Sequence, residues 1–435
     1  MQPKSFRGGI HPPEEKEITE HLAIERLPTP PEIILPLTQH LGKPAIALVQ
    51  KGSAVKTGQL VAEPQGYISA PIHSPVTGKV TAMTKQLTSS GFPQPAIVIK
   101  PDLEQDFQDF MPPLDPETIT PQEIIERVRA GGLVGQGGAA FPTAVKLSPP
   151  PDKPVDLVIL NGCECEPYLT RDYRIMVERP RDVVAGMRLI MKAMRVERGM
   201  IGIEDNKPEA IRRIQEAIDG DRRIEVVVLK TKYPQGAEKM LIQAAAKRKI
   251  APGKLPFDAG VAVQNIGTAV SVYDVVVKGE PHITAEMTVT GRGIRSPKNL
   301  LAPIGAPLAY VLEHCGGVTD DAVRLVVGGP MMGIAQYDFS APIMKATSGI
   351  VVMTRAEVEM NPETPCLNCG MCIDACPVNL LPTRLVKFIR AGRFEEAAAM
   401  QVSVCFECGA CAYLCPANIP LVQWLRLGKQ KAMRK

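Results

Sequence analysis

The sequence predicts a multidomain protein of α/β plus β architecture, and three observations support that prediction. Residues 45–100 hold short apolar runs broken by glycines, which is typical of a small all-β module. Residues 121–230 alternate between helix-length and strand-length apolar patterns, which favours a parallel or mixed sheet covered by helices. Two cysteine runs of the form C-x2-C-x2-C-x3-C-P, at residues 366–377 and 405–416, indicate a separate C-terminal domain.

The two cysteine runs point to iron–sulfur chemistry. Their spacing is the bacterial pattern for two [4Fe–4S] clusters, in which each cluster takes three cysteines from one run and the last cysteine of the other. Zinc sites use separated pairs of ligands instead, and disulfides require an oxidising compartment. The predicted ligands are Cys366, Cys369, Cys372 and Cys415 for one cluster, and Cys405, Cys408, Cys411 and Cys376 for the other.

The composition is that of a globular protein in a reducing interior. The length of 435 residues corresponds to about three domains, and a net charge of +4 is too small to indicate a nucleic acid partner. No apolar run reaches the roughly 18 to 20 residues of a membrane-spanning helix. The charged, proline-containing start lacks the apolar core of a signal peptide. We expect a chain that is soluble by itself and has no transmembrane segment of its own.

The N-terminal part is predicted to be an extended arm, residues 1–35, followed by the all-β module. The segment SAPIHSPVTGKV, residues 69–80, resembles sequences of the lipoyl/biotinyl barrel-sandwich fold. Carriers of that fold present a lysine at a hairpin tip, and the corresponding Ser69–Ser74 segment has none. The module is therefore expected to be structural.

A glycine-rich loop is the first candidate site. After an acidic linker over residues 101–121, a helix is predicted from Pro121, and it leads into GGLVGQGGAAFPTAVKL, residues 131–147. Five glycines let the backbone amides approach an anion, and a helix containing Lys146 follows. Such a loop suits a phosphate or a dinucleotide, although a tight connection is the alternative.

An acidic turn is the second candidate site. A buried strand is predicted over Val155–Leu160, followed by Asn161, Gly162, Glu164 and Glu166. Ligands of open α/β sheets lie beyond the carboxyl ends of strands, so these polar residues indicate a site. The alternative is a capped turn into the next helix. The sequence predicts further βα units, with a helix over 181–195, a strand over 200–204, a helix from about Pro208 and a strand over 224–230.

Four segments resemble the NADH-oxidising flavin subunit of respiratory complex I: residues 131–147, 161–174, 233–239 and 264–268. The family motifs are similar to GRGGAGFPTGLKW and NGDEGEPGTFKDR, and in that family these segments bind FMN and the nicotinamide dinucleotide. This chain departs from them at Gln136, at Cys163 and Cys165, which are expected to be plain thiols, and at Ala237. The resemblance implies cofactor-binding roles for Gly135, Gly137, Gly138, Lys146, Asn161, Glu164, Glu166, Glu238, Asn265 and Thr268.

The C-terminal half is expected to contain two further modules. Residues 286–355 resemble the soluble-ligand-binding β-grasp module, in which Cys315 would be a buried small hydrophobe. Apolar residues between the cysteine runs have helical spacing, which predicts one inserted helix and an α-helical ferredoxin-type domain. The basic tail, residues 426–435, is expected to be a solvated helix end, with contact to an acidic surface as the alternative. The predicted domains span residues 1–100, 101–285, 286–358 and 359–435.

This module order resembles the RnfC family of the Rnf ion-translocating electron transport complex. The resemblance implies a peripheral subunit on the cytoplasmic face of the membrane that passes electrons between NAD(H), FMN, two [4Fe–4S] clusters and partner subunits, including an iron–sulfur subunit. Flavin takes a hydride and releases electrons singly, so no side chain is expected to act as nucleophile or proton shuttle. A soluble flavin/iron–sulfur reductase of the cobalamin reductase type and a non-enzymatic electron wire are the alternatives.

Overall fold

The structure is a computed structural model that describes residues 2–105, 108–358 and 361–432. The β-strands are β1 (Ile24–Arg26), β2 (Ile33–Pro36), β3 (Ile46–Ala47), β4 (Ala54–Val55), β5 (Leu60–Glu63), β6 (Ile72–His73), β7 (Gly78–Leu87), β8 (Pro93–Pro101), β9 (Leu157–Gly162), β10 (Gly199–Glu204), β11 (Ile224–Leu229), β12 (Val261–Asn265), β13 (Thr284–Thr290), β14 (Lys298–Pro303), β15 (Ala322–Val327), β16 (Ile334–Gln336) and β17 (Gly349–Thr354). The α-helices are α1 (Pro121–Ala130), α2 (Thr143–Lys146), α3 (Arg171–Glu178), α4 (Pro180–Met194), α5 (Pro208–Ile218), α6 (Glu238–Ala246), α7 (Ile266–Tyr273), α8 (Leu308–His314), α9 (Met371–Asp374), α10 (Pro382–Arg390), α11 (Phe394–Ala399), α12 (Ala410–Tyr413) and α13 (Leu421–Ala432).

The N-terminal module consists of two small sheets. A four-stranded sheet has the order β2-β8-β7-β4, and a three-stranded sheet has the order β3-β5-β6. The long antiparallel hairpin β7–β8 turns at Gly91, whose φ of +83° suits glycine. The buried side chains of the N-terminal module and those of the β-grasp module form one apolar cluster, which includes Ile33, Leu35, Ile97, Ile99, Met287, Leu300 and Ile350. The two modules therefore share a core.

The N-terminal arm contains the short 3-10 helix Lys16–Ile18 and contacts other parts of the protein along most of its length. Lys4 forms a β-bridge with Leu229, the last residue of β11, and Ile10 forms one with Tyr233. Further along, β1 pairs in parallel with β14 of the β-grasp sheet. The arm thus contacts the α/β domain and the β-grasp sheet before it enters the N-terminal module.

The α/β domain is built on a parallel sheet with the order β11-β10-β9-β12. Strands β9, β10 and β12 are buried on both faces, as expected for a parallel sheet covered by helices, whereas the edge strand β11 is partly exposed. Side chains at alternate positions face opposite layers: Val158 and Leu160 pack in the cluster that includes α4 and α7, whereas Leu157 and Ile159 pack against α6. β9 lies two residues later than predicted because its ladder with β12 begins at Leu157.

Helix α1 begins where the sequence predicts. Thr120 is its N-cap, and the capping box with Glu123 satisfies two backbone amides. Pro121 occupies the first helical position, where the missing N–H has no cost. Ile124 and Val128 are the buried residues of its apolar face, and α1 ends at Ala130, directly before the glycine loop.

The β-grasp module forms a six-stranded sheet with the order β1-β14-β13-β17-β15-β16. Helix α8 packs on this sheet through Leu308, Val311 and Leu312. Cys315 directly follows α8 and is fully buried in the same cluster, as predicted.

The C-terminal domain corrects one prediction. Two helices, α10 and α11, lie between the cysteine runs where one was expected. The chain breaks at Gly392, whose φ of +71° lies in the left-handed region that a continuous helix cannot use. Helices α10, α11 and α13 enclose a small apolar core that includes Leu385, Ile389, Ala397 and Leu425.

Candidate functional site

The strand order creates a topological switch point between β9 and β12. Connections from β9 lead to β10 and β11 on one side of it, and the chain then crosses to β12 on the other side. Asn161 lies next to the last residue of β9 and Asn265 is the last residue of β12, and the two are paired in register. Ligands of open α/β sheets bind at such a point, beyond the carboxyl ends of the strands.

The two asparagines hold the turns that leave the sheet. Asn265 caps α7 by accepting a hydrogen bond from the backbone N–H of Gly267 (2.8 Å), and its Nδ2 donates to Asp172 Oδ2 (2.7 Å). Asn161 Nδ2 donates to the carbonyl oxygen of Gly236 (2.8 Å). The switch point is thus tied to the segment before α6 and to the start of α3.

The glycine loop is closed by a backbone hydrogen bond and is tied to α7 through Gln136. The N–H of Gly135 donates to the carbonyl oxygen of Phe141 (2.9 Å). The N–H of Gln136 donates to Thr268 Oγ1 (3.1 Å). Thr268 is fully buried, so it supports the loop from behind rather than lining its open side.

The tip of the loop is open. Gly137, Gly138 and Ala139 are exposed, and their N–H groups have no hydrogen-bond partner among the described residues. A Cβ on Gly137 would lie 3.1 Å from the Cβ of Asn265, whereas a Cβ on Gly138 would meet nothing within 4 Å. Free amides beside a helix N-terminus can hold the phosphate of a nucleotide.

Arg171 is a residue that the sequence analysis missed. Its side chain is 2% exposed and donates to Asn265 Oδ1 (2.9 Å) and to the carbonyl oxygen of Gln136 (3.2 Å). It also pairs with Asp172 (3.0 Å). A buried guanidinium therefore connects the glycine loop, the switch point and α3. The adjacent Arg171 and Asp172, which follow the acidic turn, were the feature of the sequence that could have indicated this role.

The acidic turn is a capped turn into α3, which is one of the two alternatives left open by the sequence. Glu164 accepts hydrogen bonds from the backbone N–H groups of Asp172 (2.6 Å) and Tyr173 (3.3 Å), so it caps α3. Glu166 accepts from the N–H groups of Met331 and Met332 (both 3.0 Å), which belong to the β-grasp module. Burial raises the pKa of Glu164 and that of Glu166 to about 7.

Two predicted cofactor residues pair with each other at the edge of this region. Lys146 ends α2 and Glu238 begins α6, and their charged groups lie 2.9 Å apart. Both side chains are partly exposed, which leaves them accessible to a ligand. The predicted residues therefore lie in the turns and helix ends that follow the sheet, and every polar side chain among them has a partner within the protein.

The two cysteines of the acidic turn, Cys163 and Cys165, both have a raised pKa. Cys163 is fully buried, and burial raises its pKa well above the ordinary value. Cys165 Sγ accepts a hydrogen bond from the N–H of Gly236 (3.2 Å), and burial raises its pKa as well. Because the thiolate is the reactive form, a raised pKa favours the prediction that both are plain thiols.

Four cysteines from both runs line one cavity, together with Leu380, Val422 and Leu425. They are Cys376, Cys405, Cys408 and Cys411. The structure therefore brings the last cysteine of the first run to the first three cysteines of the second. Backbone N–H groups point at two of the thiols, from Leu380 to Cys376 and from Glu407 to Cys405.

This donor set suits a [4Fe–4S] cluster. Four thiols surround the cavity, and N–H···S bonds of the kind seen here tune such clusters. Over residues 2–105, 108–358 and 361–432, no three histidine, cysteine, aspartate or glutamate side chains lie close enough to hold a single metal ion. All the described cysteines are free of disulfides.

The other set of predicted ligands lies nearer the surface. Cys369 is exposed, Cys366 and Cys415 are half-buried, and Cys372 is buried. The thiol of Cys366 accepts a hydrogen bond from the N–H of Asn368 (3.4 Å). Exposed apolar side chains occur in both runs, namely Leu367, Met371 and Ile373 in the first and Tyr413 in the second.

The basic tail is not only a solvated helix end. Arg426 and Lys429 pair with Glu407 in the second cysteine run (2.8 and 3.0 Å), and Lys429 donates to the carbonyl oxygen of Cys405 (2.9 Å). Residues 433–435 of the tail lie outside the described residues. Within the part of the chain that is described, no helix has both the length and the apolarity to cross a membrane.

The fold and these sites define an iron–sulfur flavoprotein class. The "Nuo51 FMN-binding domain" family matches residues 128–274, and the "4Fe-4S dicluster domain" family matches residues 355–419. The "RnfC Barrel sandwich hybrid domain" matches residues 4–104, and the "SLBB domain" matches residues 287–335. These matches confirm the predicted multidomain architecture.

Curated relatives cover nearly the whole chain. The C subunit of the proton-translocating ferredoxin:NAD(+) oxidoreductase complex of Clostridium ljungdahlii is 43% identical, over 91% of this chain and 86% of the relative. The Na(+)-translocating counterpart of Acetobacterium woodii is 41% identical, over 90% and 89%. The C subunit of the ion-translocating oxidoreductase complex of Rhodobacter capsulatus is 43% identical, over 99% and 84%. The chain belongs to the RnfC family.

Solved structures show the same fold at lower identity. A NAD+-reducing [NiFe]-hydrogenase in the air-oxidised state matches with a TM-score of 0.51 and 18% identity, over 72% of this chain and 63% of that one. Its H2-reduced state matches with a TM-score of 0.50 and 20% identity. At this identity the likeness concerns the fold alone.

Proposed function

We propose that this chain is the NADH-side electron-transfer subunit of a membrane-bound Rnf complex, a NAD-linked, ion-translocating ferredoxin:NAD+ oxidoreductase. It passes electrons between NAD(H), FMN, two [4Fe–4S] clusters and partner subunits. The observation that carries this proposal is the glycine loop with free amides, which lies over the switch point between Asn161 and Asn265. The relatives' names supply the reaction.

The chain's own residues have distinct parts in this function. The amides of Gly137 and Gly138 hold the flavin phosphate, and Lys146 and Glu238 contact the bound nucleotides from the edge of the sheet. When bound, FMN supplies the step between two-electron hydride transfer and single-electron transfer. Glu164 keeps α3 in place beside this site, and Gly135, Asn161, Glu166, Asn265 and Thr268 keep the surrounding turns in shape.

The C-terminal domain provides the iron–sulfur sites. One cluster is held by Cys376, Cys405, Cys408 and Cys411. The cavity that these four cysteines line supports this assignment. The remaining cysteines, Cys366, Cys369, Cys372 and Cys415, hold the other. Thiolates are the ligands that such clusters take in proteins.

The partners are other subunits of the complex, including an iron–sulfur subunit. The chain is peripheral and lies on the cytoplasmic face of the membrane, where NADH is available. One similar relative is named proton-translocating and another Na(+)-translocating, at 43% and 41% identity. The proposal therefore includes ion translocation by the complex and assigns no ion.

An anaerobic NADH titration tests this function. Protein with reconstituted clusters and added FMN is titrated, and visible absorbance and EPR spectra are recorded. Flavin bleaching together with the signals of reduced clusters is expected. Clusters that respond to dithionite but never to NADH, with FMN unbound, would instead establish an electron wire. Copurification with membrane subunits separates the Rnf function from a soluble corrinoid reductase.

A further inference from the structure

Lys16 of the N-terminal arm is buried against the acidic turn. Its side chain is only 6% exposed, although it belongs to a segment far from the α/β domain in sequence. Its Nζ donates hydrogen bonds to the carbonyl oxygens of Glu164 (2.9 Å), Glu166 (2.9 Å) and Leu169 (2.6 Å). One ammonium group thus uses its three donors on three carbonyls of one turn.

The backbone of this turn has an uncommon conformation. Glu164 has a φ of +50° and Tyr168 a φ of +69°, both in the left-handed region that favours glycine. Non-glycine residues stay in this region only where their surroundings hold them there. Lys16 bonds to carbonyls at the start and the end of this segment, so it is placed to hold it.

Other contacts of the arm act at the same place. The N–H of Tyr168 donates to the carbonyl oxygen of Glu14 (2.8 Å), and the hydroxyls of Thr19 and Thr170 lie 2.7 Å apart. The arm is therefore seated along the turn, with Lys16 between these two contacts.

Charged groups surround the ammonium group of Lys16. Burial lowers the pKa of Lys16, Glu164 and Glu204 act to raise it, and Lys207, which lies 3.3 Å from Glu204, acts to lower it. Removal of the ammonium would leave three carbonyl oxygens without their donor, and an unsatisfied buried group is destabilising. The turn would then lose the contact that holds its shape.

We propose that Lys16 is a positioning residue of the flavin and nicotinamide site. It holds the turn in the shape that places Asn161 and Glu164 at the carboxyl end of β9. The N-terminal arm thereby completes a site whose other residues all lie within the 128–274 segment matched by the FMN-binding family. The inference rests on the proposed function, since it takes this turn to be part of the cofactor site.

The test compares Lys16→Met with Lys4→Met in protein with reconstituted clusters. Methionine keeps the length of the side chain and removes the ammonium group. Lys4 is a matched control because it lies in the same arm and donates to a carbonyl oxygen, that of Ala245 (3.1 Å), away from the turn. The FMN dissociation constant is measured by flavin fluorescence, and KM and kcat are measured with NADH.

We expect Lys16→Met to weaken FMN binding by about tenfold or more, since a charged hydrogen-bond donor is lost from the support of the site. KM for NADH should rise more than kcat falls. The EPR spectrum of the dithionite-reduced clusters should stay unchanged, and Lys4→Met should bind FMN within about twofold of the wild type. FMN binding by Lys16→Met within about twofold of the wild type, even with a lowered melting temperature, would overturn the inference.

A second measurement uses the wild type and so does not depend on whether the variant folds. Hydrogen–deuterium exchange is followed with and without FMN in the peptides that cover residues 161–170 and 12–19. FMN should slow exchange in both peptides, because the turn and the arm are held together. Protection of the turn without any change in the arm would count against the inference.

The two proposals fail in different ways. A wild type that does not bind FMN would refute the proposed function and this inference with it. A wild type that binds FMN, with Lys16→Met equal to it, would refute the role of Lys16 alone.

Discussion

The hydroxyl of Tyr233 donates a hydrogen bond of 2.6 Å to the carbonyl oxygen of Cys408. Tyr233 follows β11 in the α/β domain, and Cys408 belongs to the second cysteine run. Ile10, Cys165 and Met331 lie in the same apolar cluster. The α/β domain and one of the cysteine sites therefore meet in a packed junction to which the arm and the β-grasp module also contribute.

Tyr233→Phe should lower the melting temperature by about 2–4 °C. The change leaves the carbonyl oxygen of Cys408 without its donor in a junction where Tyr233 is only 2% exposed. Tyr337→Phe is the control, because Tyr337 is 80% exposed and its change should have almost no effect. Differential scanning calorimetry measures both. Equal shifts in the two variants would show that the junction bond contributes nothing.

Asn265→Ala should lower both stability and FMN affinity. It removes the N-cap of α7 and the bonds to Asp172 and Arg171, at a cost of about 1–2 kcal/mol. Thr120→Ala removes the N-cap of α1 and should cost a similar amount without changing FMN affinity. Thermal melting and FMN titration are measured on both variants. A similar loss of FMN affinity in both would argue against a local role for Asn265.

Glu166→Gln should change how stability depends on pH. Burial raises the pKa of Glu166 to about 7, above its value of about 4.3 in an unfolded chain. Between these values the folded state binds more protons, so this group makes the wild type less stable as pH rises. The melting temperature of the variant minus that of the wild type should therefore increase from about pH 5 to about pH 7.5.

Glu209→Gln is the matched control for this pH profile. Arg212 and Arg213 lower the pKa of Glu209 to about 2, so it stays ionised over the whole range. Its difference from the wild type should not vary with pH. A Glu166→Gln difference that stays equally constant would contradict the raised pKa.

Cys408→Ala should lose one of the two clusters. Because alanine cannot ligate iron, the iron content per chain should fall to about half. Cys315→Ala is the control, since Cys315 is a buried cysteine outside both runs and its change should leave the iron content unchanged. Iron and acid-labile sulfide analysis measures both. Full iron content in Cys408→Ala would remove Cys408 from the ligand set.

Local patterns predicted the elements well where neighbouring residues decide the conformation. The proline and the capping residues at Thr120–Glu123 place the start of α1 correctly, and the apolar runs place β9 to within two residues. The break at Gly392 was missed because the apolar spacing continues across it, although a glycine with positive φ ends a helix. The ion pair of Lys429 with Glu407 was missed because Glu407 lies 22 residues away in the chain.

The sequence by itself determined the cysteine spacing, the alternation of strands and helices, the glycine loop and the family resemblance, since these depend on residues close together in the chain. Only the tertiary structure decided the partners of the buried charges. The ammonium group of Lys16 bonds to the backbone carbonyl of Glu166, 150 positions away, and the carboxylate of Glu166 bonds to the backbone N–H of Met331, 165 positions away. Such pairs form because packing of distant segments excludes water and leaves each charged group only the donors or acceptors that the fold brings to it.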